Sequence, residues 1–241
     1  MATQRRSYHP PLISPYLPPD GEFPGYIMGD SGPQGFGCEA FHVAQIPARE
    51  ARAIITAFHY SGRFVNNSYL HLGVYLDGAM EGVLQFGYML QPARAGKVVA
   101  GTVQGQYLEL NRMWLADSAP RNSESRAISY AIKYIRRACP SVAWIQSFAD
   151  ERCNGLGVVY QAANFYFIGS HVTVFWELDG DIYHDMLLTR KDTPRGLHLQ
   201  ANIGRAVQRK FRQFRYIFFL KRDWLKRLNF TIQPYPKPQT A

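Results

Sequence analysis

Between Gln106 and Arg137 the spacing of apolar residues changes once, from every second residue to every third or fourth. The run "QYLELNRMWL" alternates like a strand, and Ser123 to Arg137 carries Ala127, Ile128, Ala131, Ile132 and Ile135 on one helical face. A strand that delivers into an amphipathic helix leaves few architectures, because the helix must lay its apolar stripe on a sheet. The join, "ADSAPRNSESR", places Arg112 in the strand and a helix N-terminus close by. Unpaired amides and the helix dipole make such a terminus an anion site, although a plain strand-turn-helix corner reads the same way. Ser123 is the expected N-cap.

The flanking segments extend this pattern. In "IPAREARAIITAFHY", Pro47 stands near a helix start, and Ala51, Ile54, Ile55 and Phe58 follow at helical spacing as far as His59. Two alternating runs then flank Asp77-Gly78, a hairpin signal because that turn needs positive φ. "SVAWIQSFA" reads as a strand, "GLGVVYQAAN" as a short helix and "FYFIGSHVTVFWEL" as further strand. The fold class is therefore α/β or α+β, a mixed central sheet flanked by helices. Residues 1–40, rich in Pro and Gly, read as an irregular N-terminal arm, 41–190 as the core and 191–241 as a basic C-terminal extension.

Charge separates the last of these from the rest. The net charge is +9, yet from Met186 onward there are 13 Lys/Arg against 2 Asp/Glu, so the first 185 residues are slightly acidic. In "NIGRAVQRKFRQFRYIFFLKRDWLKRL" aromatic and cationic positions interleave, which predicts one or two basic helices. Their cations either snorkel from a helix packed on the sheet, lie on a membrane surface, or grip nucleic-acid phosphates through Arg205, Arg209, Lys210, Arg212, Arg215, Lys221 and Arg222. No apolar run approaches the ~18 residues of a membrane helix, and "MATQRRSYHPP" has no hydrophobic signal core. Cys38, Cys139 and Cys153 form neither a disulfide framework nor a metal-binding pair. The expectation is a cytoplasmic protein, with no membrane partner and the oligomeric state left open, a homodimer included.

The element order resembles the GNAT acyltransferase fold. That family clasps the pyrophosphate of acetyl-CoA in the turn opening the helix after its fourth strand. Here the turn reads "RNSESRA", which implies Asn122, Ser123, Ser125 and Arg126 as the cofactor-binding set and departs from the family's glycines at Ser125 and Ala127. "GLGVVYQAANFYFIG" resembles the family's later Tyr-containing segment, with Tyr160 facing the leaving thiolate. A resemblance over nearly the whole chain is to the Mom family of DNA-modification proteins of Mu-like bacteriophages. "FHYSGR", "LNRMWLADSAPRNSESR", "SFADERCNGLGVVYQAANF" and the basic C-terminus together carry it.

That resemblance implies a transferase of the host cell cytoplasm that converts adenine in double-stranded DNA to N6-carbamoylmethyladenine and shields viral DNA from restriction. The chemistry it implies would draw on acetyl-CoA or a related acyl donor, or on a metal such as iron held by His59 and carboxylates. It singles out His59, Arg112, Ser125, Asp150 and Tyr160. His59 would be a base or metal ligand, or simply cap its helix. Arg112 would bind an anion, or pair with Asp117 or Asp150. Ser125 would hold an anion or lie on the surface. Asp150 would bind the adenine amine or cap a turn, and Tyr160 would be a late proton donor or core. Because N6 lies inside the duplex stack, base flipping is expected, with Tyr60, Phe64, Tyr69 and Trp114 the rings that could stack on the extruded base.

Overall fold

A computed structural model describes residues 25–30, 32–153 and 155–238. Its strands are β1 (Tyr26–Gly29), β2 (Gly32–Cys38), β3 (Phe41–Gln45), β4 (Ser68–Leu76), β5 (Ala79–Gly87), β6 (Tyr107–Leu115), β7 (Trp144–Asp150), β8 (Tyr166–Leu178), β9 (Asp181–His184) and β10 (Val207–Phe219). They form one sheet in the order β1-β2-β3-β4-β5-β6-β7-β10-β8-β9. The helices are α1 (Ala48–Phe58), α2 (Ala95–Val98), α3 (Ser123–Ala138), α4 (Val158–Ala162) and α5 (Pro194–Ala201). The mixed α/β class expected from the periodicities is the class observed. The β4–β5 hairpin turns on Asp77 (φ 47°) and Gly78 (φ 84°), both in the left-handed region that the turn demands.

Two helices seat the sheet from opposite faces. Ala127, Ile128, Ala131, Ile132 and Ile135 of α3 are buried in the main core with Leu72, Leu108, Phe214 and Tyr216. On the other face, Ala51 and Ile55 of α1 pack with Ile46 and Val83. Each fully buried Ile contributes roughly 1.5–3 kcal/mol, so α3 is held mainly by its apolar face.

Neighbouring strands pair antiparallel with one exception. β6 and β7 run parallel, and they pair only at Tyr107↔Trp144, Leu108↔Ile145 and Glu109↔Gln146. Beyond Glu109 the two strands part. The cause is local: on the β5 side the register jumps from Phe86↔Leu110 to Gln85↔Arg112, which leaves Asn111 as the extra residue of a bulge. A bulge bends its strand and re-aims the next side chains. Here it swings Arg112 and Met113 away from β7 and opens a wedge in the middle of the sheet.

Three sequence expectations are overturned. Over residues 26–38 the irregular arm is instead β1 and β2, and the rest of that reading, residues 1–24, lies outside the described residues. The glycines there permit close strand approach: a Cβ on Gly35 would meet the Val43 carbonyl oxygen at 2.3 Å. The basic C-terminal helices are instead β10, inserted between β7 and β8. Phe214 and Tyr216 point into the α3 core, while Ile217 lies in a second core with Trp144. The period is two, and the aromatic residues suit a central strand. At the start of α3, Asn122 rather than Ser123 is the N-cap, in a left-handed conformation (φ 73°) with no side-chain capping bond.

Candidate active site

A cavity of about 1130 Å³ fills the wedge between β6 and β7. Its walls come from the end of α1, the parted strands, α4 and the β8–β9 hairpin. His59, Arg112, Asp150 and Tyr160 all line it. Four of the five residues singled out from the sequence therefore meet, although about a hundred positions separate the first from the last. Ser125 does not join them.

His59 ends α1, its backbone N–H donating to the Ile55 carbonyl at 3.2 Å. Its Nδ1 accepts the backbone N–H of Ser61 (3.1 Å) and lies 2.9 Å from the Ser61 hydroxyl. A nitrogen that accepts an amide proton cannot carry one, so the neutral ring bears its proton on Nε2 and presents a donor to the cavity. Burial, then the Arg112 charge, lowers the His59 pKa from 6.5 to about 4. Protonation is thus disfavoured in the folded state. The stability present above pH 6.5 is lost as pH falls from 6.5 toward 4. An NMR titration of the His59 ring should give a midpoint near 4; a midpoint at 6.5 would mean that the ring is solvated.

Arg112 pairs with neither Asp117 nor Asp150. Its guanidinium donates to the carbonyls of Asn111 (2.6 Å) and Arg63 (3.2 Å), and burial pulls its pKa down. Among the described residues it forms no salt bridge, and Glu109 is the carboxylate whose charge acts on it. Asp150, at the end of β7, is engaged instead by Arg152. Its Oδ1 accepts the Arg152 backbone N–H (3.0 Å), and its Oδ2 accepts Nε (2.9 Å) and Nη2. The Arg152 guanidinium also lies over the Phe175 ring, 4.1 Å from its centroid. Tyr160 is buried beside Tyr216 and Phe165, which pushes its phenol pKa up, and Ser147 hydrogen-bonds it.

Sequence reasoning missed several ionisable residues of the wall, two of which flank the expected set. One is Arg152, two positions beyond Asp150. The other is Glu109, the last residue of β6 to pair with β7, whose place in "YLELN" as an acid inside an apolar run was the available signal. Of the four rings proposed for stacking, Tyr60 lines the cavity and is 63% exposed. Trp114 stacks on Phe58 at 4.7 Å, Phe64 lies under Arg52, and Tyr69 packs against the second core.

Ser125 lies in a separate cleft of about 410 Å³ at the N-terminus of α3, with Asn122, Ser123 and Arg126. The strand carrying Arg112 ends at Leu115, and the turn that follows takes the helix start toward Phe41 and Asp77. Ser125 Oγ donates to the Asn122 carbonyl (3.0 Å), and the Arg126 guanidinium lies over Phe41. Among the described residues no three His, Cys, Asp or Glu side chains gather as a metal set. Of the carboxylates near His59, Asp150 is not free to share a metal, because Arg152 engages both of its oxygens.

The expected DNA-gripping cations divide in three. Arg205, Arg209 and Arg212 are ion-paired with Asp179, Glu177 and Glu151. Arg215 lies between the Phe148 and Phe230 rings, at 5.0 and 5.3 Å from their centroids. Lys210, Lys221 and Arg222 are exposed, without an ion pair among the described residues. Lys221 and Arg222 follow the end of β10 that pairs with Trp144, whereas Asp150 pairs with Gln213 at the other end. No helix among the described residues is long and apolar enough to cross a membrane.

The mixed sheet splits at its parallel pair, and ionisable side chains line the split. Residues 40–237 match the model of the Mom protein family. Over 221 residues the chain is 54% identical to the methylcarbamoylase Mom of Escherichia phage Mu, covering 90% of this chain and 89% of that one. The chain belongs to the Mom family. Among solved structures, an N-acetyltransferase from Staphylococcus aureus Mu50 is 10% identical (TM-score 0.45, 75% of this chain, 97% of that chain). The ribosomal-protein-S5-alanine acetyltransferase of Vibrio fischeri is also 10% identical (TM-score 0.47, 79% and 98%).

Proposed function

We propose that this protein is a methylcarbamoylase that modifies adenine in phage DNA to N6-carbamoylmethyladenine inside the infected host cell, so that restriction enzymes fail to cut it. The observation that carries this reading is the meeting of His59, Arg112, Asp150 and Tyr160 in one cavity of a Mom-family chain. The cavity exceeds what a purine ring needs, so an extruded base could enter through the split. Arg112 and Arg152 supply positive charge at the mouth, His59 offers its Nε2–H to a substrate acceptor, and Tyr160 stands deep in the wedge as a proton donor. Tyr60, exposed at the rim, is the ring placed to stack on the base.

The donor in this reading is acetyl-CoA or a related acyl donor. Asn122, Ser123, Ser125 and Arg126 would hold its phosphates in the cleft at the open amide end of the sixteen-residue helix α3. When bound it would supply carbon for the added group; the residues of this chain bind, orient and exclude water.

The test is nucleoside mass spectrometry of DNA from cells expressing the protein. Modified adenine in that DNA supports the reading, and unmodified DNA removes it. DNA binding should weaken with salt, since neutralised phosphates release counterions. Lys210→Ala should lower the slope of log K against log salt by about 1. Arg209→Ala should change it less, because Glu177 already balances that charge. Equal slopes for both variants and the wild type would place DNA elsewhere on the surface.

A further inference from the structure

The carboxylate expected to meet the adenine amine, Asp150, has both oxygens turned to Arg152. Another carboxyl lines the same cavity. Glu109 sits at the vertex of the wedge, where β6 last touches β7. Its side chain is fixed from two sides: the amide of Asn111, the bulge residue, donates to Oε1 at 3.0 Å, and the amide of Gln146 donates to Oε2. Asn111 is itself held by the Ser68 hydroxyl at 2.7 Å. Each carboxyl oxygen has a second lone pair that these amides leave unused. Among the described residues Glu109 has no ion pair, and Arg112, Arg215 and Tyr160 are the ionisable groups around it.

We propose that Glu109 is the residue that recognises the substrate's exocyclic amine, accepting one of its N–H bonds at the floor of the wedge. The inference rests on the adenine reading given above. Three observations carry it. The group is an acceptor in the wall of the cavity, its two amide props pre-orient it, and no cation neutralises it as Arg152 does Asp150. Burial outweighs the two amide bonds and the Arg112 and Arg215 charges and raises its pKa, which suits a carboxyl facing an uncharged amine in a poorly solvated place. The neighbouring Gln146 Oε1 is buried without a partner, so that amide can turn over and accept from whatever replaces an oxygen of Glu109.

That last feature makes the test specific. In Glu109→Gln the new amide keeps a carbonyl acceptor, and its NH2 can donate to a flipped Gln146. In Glu109→Leu no acceptor remains. The probes are two duplexes with an abasic site opposite the target, one carrying adenine there and the other purine, which lacks the amine. A hydrogen-bonded recognition group is worth roughly 1–3 kcal/mol of discrimination, or about 5- to 150-fold. Wild type should bind the adenine duplex at least 5-fold tighter than the purine duplex, Glu109→Gln should keep most of that preference, and Glu109→Leu should lose it. Loss of preference in Leu alone, with overall binding and Tm near wild type, supports the proposal. A preference surviving in Glu109→Leu, or absent from wild type that modifies DNA, overturns it, as does an equal loss in Gln and Leu. Wild type that leaves cellular DNA unmodified sinks the adenine reading instead, so the two failures are distinguishable.

Discussion

Asp150→Asn should cut adenine modification about 100-fold or more, measured as modified nucleoside per total adenine in DNA from expressing cells. The argument runs through Arg152. Asparagine keeps an oxygen for the Arg152 backbone N–H but turns an amide against its guanidinium, where Oδ2 now accepts two bonds. Arg152 is then free to leave the Phe175 face. Removing one partner of a part-buried pair costs on the order of 3 kcal/mol, and a misplaced electrostatic group costs a comparable amount in the transition state, roughly 10²–10³ in rate. Arg63, Arg112 and Arg152 would also face one another at the mouth with one carboxylate fewer. Two residues acting as a unit are not additive. Arg152→Ala should therefore be about as damaging as Asp150→Asn, and the double variant little worse than either. Fully additive losses would show that Asp150 acts on its own.

How much of this was legible beforehand follows from which interactions are local. The Asp77-Gly78 hairpin, α1 and α3 could be read because their signals lie within one element. His59 and Asp150 fall together because they close α1 and β7, and Arg112 and Tyr160 join them from within β6 and α4, elements whose order was readable. β10 was misread because Phe211, Phe214 and Phe218 also satisfy a helical period. Its strand character depends on β7 and β8, one of them more than sixty residues earlier. Ser125 was misplaced for a related reason: the turn after Leu115 decides which side of the sheet the start of α3 faces, and nothing in "ADSAPRN" encodes that direction. Glu109 became visible only with the bulge at Asn111, because an acid in an apolar strand reads as an edge or a fault until the strand beside it departs.

Gly157 connects that packing to the chemistry, and its substitution should have the largest effect on stability. It caps α4 at φ 72°, and a Cβ there would lie 2.3 Å from Cε2 and 2.7 Å from Cζ of Tyr216. Tyr216 cannot retreat: it is fully buried, its ring meets Tyr160 and Phe167, and its hydroxyl donates to the Leu156 carbonyl while accepting from the Gln161 amide at 3.1 Å. The left-handed conformation costs a non-glycine residue roughly 1–2 kcal/mol, and overpacking adds typically 1–3 kcal/mol. Gly157→Ala should then lower Tm by roughly 5–15 °C, at 2–4 °C per kcal/mol for a chain of this size. Tyr160 lies on the helix that Gly157 caps, so the residual folded protein should also modify adenine poorly. Gly78→Ala is the control, because it shares the positive φ (84°) but would meet nothing within 4 Å. Thermal melts that place the two variants together would attribute the loss to backbone conformation alone; the larger drop expected for Gly157→Ala isolates the Tyr216 contact, and with it the means by which β10 fixes the helix under the active site.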